Sequence, residues 1–192
     1  RVVLAHIRET PKALVGLVGV AVGHIAMVSV MVMTPVHMKH VDVSLTIIGF
    51  VLSVHVAGMY ALSPLIGRAS DRYGRIRVIQ LGVVILLAST IISGTAAADN
   101  SVQLGIGLFL LGLGWSCTLI AGSTLLTESI SDDIRPNAQG ATDLVMNLSG
   151  AGGGAIAGVI IATLSYGWLC ALAAIPVGIL GLMATRKKVT SK

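Results

Sequence analysis

Charge is what this chain has least of. Only 11% of its 192 residues are charged, 55% are hydrophobic, and the mean hydropathy is +0.92. A soluble domain carries about 25% charged residues, so this scarcity excludes one and indicates a membrane protein. Cysteine is scarce too: Cys117 and Cys170 are the only two, both inside apolar stretches. Neither has metal-ligand spacing, which speaks against a cysteine metal site and against a disulfide. The first residues, starting at Arg1, lack an initiator Met and the basic-then-apolar pattern of a signal peptide. The expectation is a chain without a leader that begins partway through a longer protein.

What the chain does have is apolar length. A helix needs about 20 apolar residues to cross the hydrocarbon. Four uncharged runs reach that: Ala13–Met38, Val43–Gly67, Val78–Ala98 and Asn100–Thr127. A fifth, Leu144–Thr185, is twice too long for one crossing and divides at Ser165-Tyr166-Gly167-Trp168. There a glycine breaks the helix and two aromatics suit the interface. The reading is an all-α membrane protein, one bundle of six transmembrane helices at about 13–36, 43–66, 77–98, 101–127, 138–164 and 167–185.

Orientation follows from the bases. One side collects Arg1, Arg8, Lys12, Arg68, Arg72, Arg75, Arg77, Arg135, Arg186, Lys187, Lys188 and Lys192, and the other has Lys39 alone. Twelve against one places both termini in the cytoplasm by the positive-inside rule. The same placement in short loops explains the net charge of +5 without a nucleic-acid partner.

Between the second and third runs stands a charged knot, Gly67-Arg-Ala-Ser-Asp-Arg-Tyr-Gly-Arg-Ile-Arg77. Gly67 would let two backbones approach, and Gly74 can take the left-handed turn that ends a helix. Asp71 can sit at the positive N-terminus of a neighbouring helix. Arg72 and Arg75 can bridge to carboxylates across the loop. The spacing of Gly67, Asp71, Arg72, Gly74 and Arg75 resembles the loop signature of the major facilitator superfamily of secondary transporters. Leu62-Ser63-Pro64-Leu65-Ile66-Gly67, Gly112-Leu113-Gly114-Trp115 and Ile134-Arg135-Pro136-Asn137-Ala138-Gln139-Gly140 extend the resemblance over nearly the whole chain. It matches helices seven to twelve of a twelve-helix transporter. Ile76 departs from the pattern, which often has a base there, although Arg77 follows it. The resemblance implies that the knot latches the two halves on the cytoplasmic side, with Glu128 as the partner of Arg75. The alternative is that the arginines only enforce topology.

Ionisable residues inside spans are costly and often mark function. Here they are His24, His55 and Asp143. The resemblance implies that the third and sixth spans face lipid while the other four line a central cavity, and it places Trp115 and Asn147 with these three. A histidine there could bind solute or shuttle a proton; the alternative is an imidazole bonded to a carbonyl between packed helices. Asp143, roughly 9 Å into its helix at about 1.5 Å per residue, is open to a proton-site or a structural reading. Gly150, Gly154 and Gly158 recur every four residues on one face with Asp143 and Asn147. That spacing favours close helix packing; the alternative is a substrate-facing groove. Met31, Met33, His37, Met38 and His40 cluster at the outer end of the first span. Copper(I) would suit them, but methionine as packing and histidine in a wet loop explain them as well, so no metal and no cofactor are expected.

Other functions fit less well. Ser149-Gly150 is superficially similar to a rhomboid-type protease serine, yet no histidine follows His55 to activate it, so no enzyme is expected. No span repeats arginine as a voltage sensor does, and no filter-like loop interrupts the spans, which argues against a channel. The resemblance implies one half of a multi-pass transporter in a bacterial-type plasma (inner) membrane, an antiporter driving efflux of a small-molecule substrate against protons. Its partners would be the lipid bilayer and either an N-terminal six-helix half or a second copy. Proton-coupled uptake, or a non-transporting six-helix fragment that must dimerise, are the alternatives.

Overall fold

Where no water is available, every backbone N–H and C=O must be bonded within its own segment, so apolar runs of membrane length become helices. The structure, a computed structural model, describes residues 7–186. Arg1, Lys187, Lys188 and Lys192, counted above among the bases of one face, lie outside the described residues. After a short helical stretch at residues 7–9, seven longer helices follow in order: α1 Pro11–Lys39, α2 Leu45–Tyr60, α3 Ser63–Tyr73, α4 Arg75–Gly94, α5 Ser101–Glu128, α6 Arg135–Thr163 and α7 Tyr166–Ala184. Six of the helical stretches are long and apolar enough to cross a membrane, with α2 and α3 together forming the second, Leu45–Tyr73. The expected all-α, six-span architecture is what the described residues adopt.

Local chemistry sets the helix starts. Proline occupies the first turn of α1, α3 and α6, where its missing N–H is no loss. Ser44, Asn100 and Ser165 cap α2, α5 and α7 by accepting the backbone N–H of Ile47, Gln103 and Trp168. The charged knot is mostly helix rather than loop, because Gly67–Tyr73 belongs to α3. Only Gly74 leaves the helix, at φ +97°, a conformation that glycine adopts without steric cost.

The centre of the bundle is α5, the most buried span, which packs against α1, α2 and α4. Helix α1 packs in turn against α6 and α7, and α4 against α7. The contacts of α5 run along small residues. A Cβ on Gly112 would sit 2.5 Å from the His55 carbonyl oxygen and 2.8 Å from the Met59 nitrogen of α2. On another side Gly16 of α1 and Gly122 of α5 meet backbone to backbone, each leaving under 3.0 Å to the other's carbonyl for an added carbon. Lipid tails supply no hydrophobic drive between helices, so close van der Waals contact of this kind holds them.

Polar side chains tie the outer ends. The Thr34 hydroxyl donates to the Val30 carbonyl at 2.8 Å, so the buried Tyr166 hydroxyl donates to Thr34 Oγ1 at 2.7 Å. His37 stacks on the Tyr166 ring, with centroids 4.4 Å apart. Met38 is fully buried and His40 bonds the Val36 carbonyl, so the methionine and histidine run is divided between core and surface. Among the described residues no three His, Cys, Asp or Glu side chains converge as metal ligands.

Gly112→Ala is therefore expected to lower the melting temperature in detergent, with about 1–3 kcal/mol lost to overpacking against backbone that cannot move aside. Gly49→Ala, where an added carbon meets nothing within 4 Å, serves as the control. It should be neutral or stabilising by about 0.5–1 kcal/mol, the helix penalty of glycine.

Candidate functional site

Two groups of side chains stand out, one at the α3–α4 corner and one on the inner faces of α1, α2, α5 and α6. At the corner Arg75, the first residue of α4, holds two carboxylates. Its Nη1–H donates to Asp71 Oδ1 at 2.6 Å, and its Nε–H and Nη2–H donate to the two Glu128 oxygens at 3.2 and 2.8 Å. The fork geometry of guanidinium permits this and a lysine ammonium would not. Arg75 is a cation at the positive end of α4, and Glu128 an anion at the negative end of α5. Each is misplaced on its own helix and well placed against the other's. The acids are largely exposed, so each ion pair is worth about 0.2–1 kcal/mol. Arg72 lies over the Tyr73 ring at 5.4 Å.

At Gly67 an added Cβ would meet nothing within 4 Å, so among the described residues no other element's backbone closes on it. On the far side of α5, Arg135 donates from Nε–H to the Thr127 carbonyl at 2.8 Å and pairs with Asp132 at 2.5 Å. It satisfies one of the terminal carbonyls of α5. Its position just before a proline in a loop gave no sign of that role.

The second group centres on His24, midway along α1. Trp115 of α5 donates its Nε1–H to His24 Nδ1 at 3.1 Å. With Nδ1 accepting, the neutral ring carries its proton on Nε2. That nitrogen lies over bare backbone on α6: a Cβ on Gly150 would come within 2.8 Å of it. Tyr60 of α2 meets the Trp115 ring edge to face, with centroids 6.2 Å apart at 80°. Four helices thus converge on one imidazole–indole–phenol group. Tyr60, 60% exposed, is absent from the residues singled out by sequence; a lone tyrosine in an apolar run was its one available signal.

The remaining candidates lie elsewhere. His55 is fully buried between α2 and α5, with Nδ1–H donating to the Leu108 carbonyl at 2.8 Å and Nε2 without a partner. It does not join His24. Asp143 and Asn147 are exposed on α6, where the Asn147 amide donates to the Asp143 backbone carbonyl at 2.7 Å. The glycine face of α6 turns toward α1. Gly150 is the tight contact there, whereas added carbons on Gly154 and Gly158 would rest 3.5 Å from Val28 and 3.9 Å from Met33.

Residues 16–191 match the family described as the Major Facilitator Superfamily. The chain is 38% identical to the uncharacterized MFS-type transporter YddS of Bacillus subtilis over 153 residues, covering 80% of this chain and 35% of that protein. It is 39% identical to the uncharacterized MFS-type transporter YdeG of the same organism over 162 residues, covering 84% and 37% respectively. The riboflavin transporter RfnT of Brucella anthropi is 27% identical over 143 residues, covering 74% and 35%. The chain thus spans little more than a third of the length of the curated relatives it matches.

The chain has two tryptophans, Trp115 and Trp168. In a Trp168→Phe background, Gly150→Leu should displace His24 and shift the emission of Trp115. Gly152→Leu, where an added carbon meets nothing within 4 Å, should leave the spectrum unchanged.

Proposed function

This chain belongs to the major facilitator superfamily of membrane transporters, and on that premise we propose that it forms one six-helix half of a proton-coupled antiporter. It exports small organic solutes across a bacterial-type inner membrane. Its partner is an N-terminal six-helix half or a second copy, and the two bundles rock about a central site exposed alternately to each side. The distribution of bases supports both chain termini lying in the cytoplasm.

The observation that carries the reading is the His24–Trp115–Tyr60 group. Four helices converge on it, bringing two aromatic rings and an imidazole N–H together. An aromatic wall with few polar groups is how pockets for small solutes are usually lined. Histidine is also the side chain whose ordinary pKa lies nearest neutrality, which suits it to exchange a proton against solute. Asp143, carboxylate-bearing and exposed on the same half, is the second proton candidate, and His55 the third. Uptake by proton symport is a second reading; the likeness to a transporter named for riboflavin fits a small organic solute carried in either direction.

The Arg75–Asp71–Glu128 corner acts in this scheme as the latch that favours the cytoplasm-closed state. Arg75→Lys keeps the charge but loses the fork. Labelling of a cysteine introduced at Gln139 should then rise about two- to fivefold, the equivalent of about 0.5–1 kcal/mol. The native Cys117 and Cys170 are buried and give little background. For coupling, proteoliposomes of the full-length protein are given solute with and without a pH gradient. Solute movement should follow the gradient, and indifference to it would remove protons from the mechanism.

A further inference from the structure

We infer that the cleft between α5 and α6 beside Asp143 binds the primary or secondary ammonium group of a small organic solute, with the Asp143 carboxylate as its counter-ion. The cleft, open on one side, has a volume of about 230 Å³ and is lined by Ser123, Leu126 and Thr127 of α5 and by Gln139, Thr142 and Asp143 of α6. It is distinct from the His24–Trp115–Tyr60 group, with which it shares no residue.

The hydroxyls decide its chemistry. A serine or threonine hydroxyl has one proton to donate and two lone pairs to accept with. Ser123 donates to the Ile120 carbonyl at 3.3 Å, Thr127 to the Ser123 and Thr124 carbonyls at 3.0 Å, and Thr142 to the Ala138 carbonyl at 2.8 Å. All three protons are therefore committed to the helices' own backbones. What the hydroxyls offer the cleft is lone pairs. The Asp143 carboxylate adds acceptors and a full negative charge, and among the described residues no lysine or arginine pairs with it. Asn147, one turn away, gives one of its two amide protons to the Asp143 main chain. Of the lining side chains only the Gln139 amide can still donate.

An acceptor-rich lining around one carboxylate calls for a ligand that carries one positive charge and several N–H donors. Charge-assisted hydrogen bonds of this kind are about twice as strong as neutral ones. Size and charge narrow the choice. At about 30 Å³ per water the cleft has room for seven or eight waters, more than a bare alkali ion fills. A divalent metal would seek several carboxylates, and no such group exists among the described residues. The assignment rests on the transport reading for the solute being carried, though not for its being bound.

The test is equilibrium binding by titration calorimetry at pH 7, with the full-length protein in nanodiscs. The probes are n-butylammonium, tetramethylammonium, which has no N–H, and sodium. Butylammonium should bind saturably, and tetramethylammonium at least about tenfold more weakly, the worth of one charge-assisted hydrogen bond. Asp143→Asn should weaken butylammonium by a similar factor, and Asp143→Glu should restore most of it. Unchanged Trp115 emission would show that both variants fold. Equal binding of tetramethylammonium, binding of sodium in place of butylammonium, or an Asp143→Asn protein that binds like the wild type would each overturn the assignment. Binding that survives while solute flux ignores a pH gradient would support the ammonium site and remove only the coupling proposal.

Discussion

The backbone of α5 lies almost in contact with its neighbours, and the rest of the bundle depends on that closeness. In lipid, two helices gain nothing by hiding leucines from a solvent that is itself apolar. What holds them is the number of atoms brought to van der Waals distance, which rises steeply when the side chain between two backbones is removed. Gly112 does this against α2, and Gly16 with Gly122 against α1. Because α5 is central, it fixes the spacing of α1 and α2 relative to each other, although those two scarcely meet directly. The His24–Trp115–Tyr60 group inherits its geometry from these seams, since each member stands on a helix that α5 positions.

Polar pairing then works on a frame already set by packing. Arg75 and Glu128 join the start of α4 to the end of α5, two helices that already touch along their length. The pair therefore adds little to holding them together, and its value lies in direction. It fixes α3 through Asp71, and α3 continues the second span toward the face where the bases collect. For the proposed latch a weak, solvated, reversible contact is better suited than a strong buried one would be. Arg135 performs the complementary static task, closing the end of α5 by bonding a terminal carbonyl.

The sequence made the coarse architecture legible because bilayer thickness and the positive-inside bias act on long averages. Five apolar runs, the last of them double length, translate into six helices of membrane length almost irrespective of detail. The knot could be located but not shaped, since Gly67–Tyr73 continues as helix and only Gly74 turns. Its glycines illustrate the limit. Gly74 has the positive φ that glycine permits, whereas among the described residues no backbone closes on Gly67. His24 and His55 are alike in sequence, each a lone histidine in the middle of an apolar run. Their difference is rotational. One faces Trp115 and the bare backbone of Gly150, and the other turns into the α2–α5 seam toward the Leu108 carbonyl.

The same rotational logic accounts for the unequal use of glycine on α6. Gly150, Gly154 and Gly158 share a face, but only Gly150 stands opposite a ring, where the absence of a side chain leaves His24 its position. Further along, α6 presents Val28 and Met33 with ordinary contact distances, so tightness falls away from the middle of the span outward. At the other end α6 barely touches α5, and the cleft beside Asp143 opens between them. The contact that remains is at the very start of α6, where Arg135 bonds the Thr127 carbonyl of α5 and Ala138 is buried with Ala13 of α1 and Leu126 of α5. The cleft residues Gln139, Thr142 and Asp143 therefore lie between that tie and the Gly150 contact with His24.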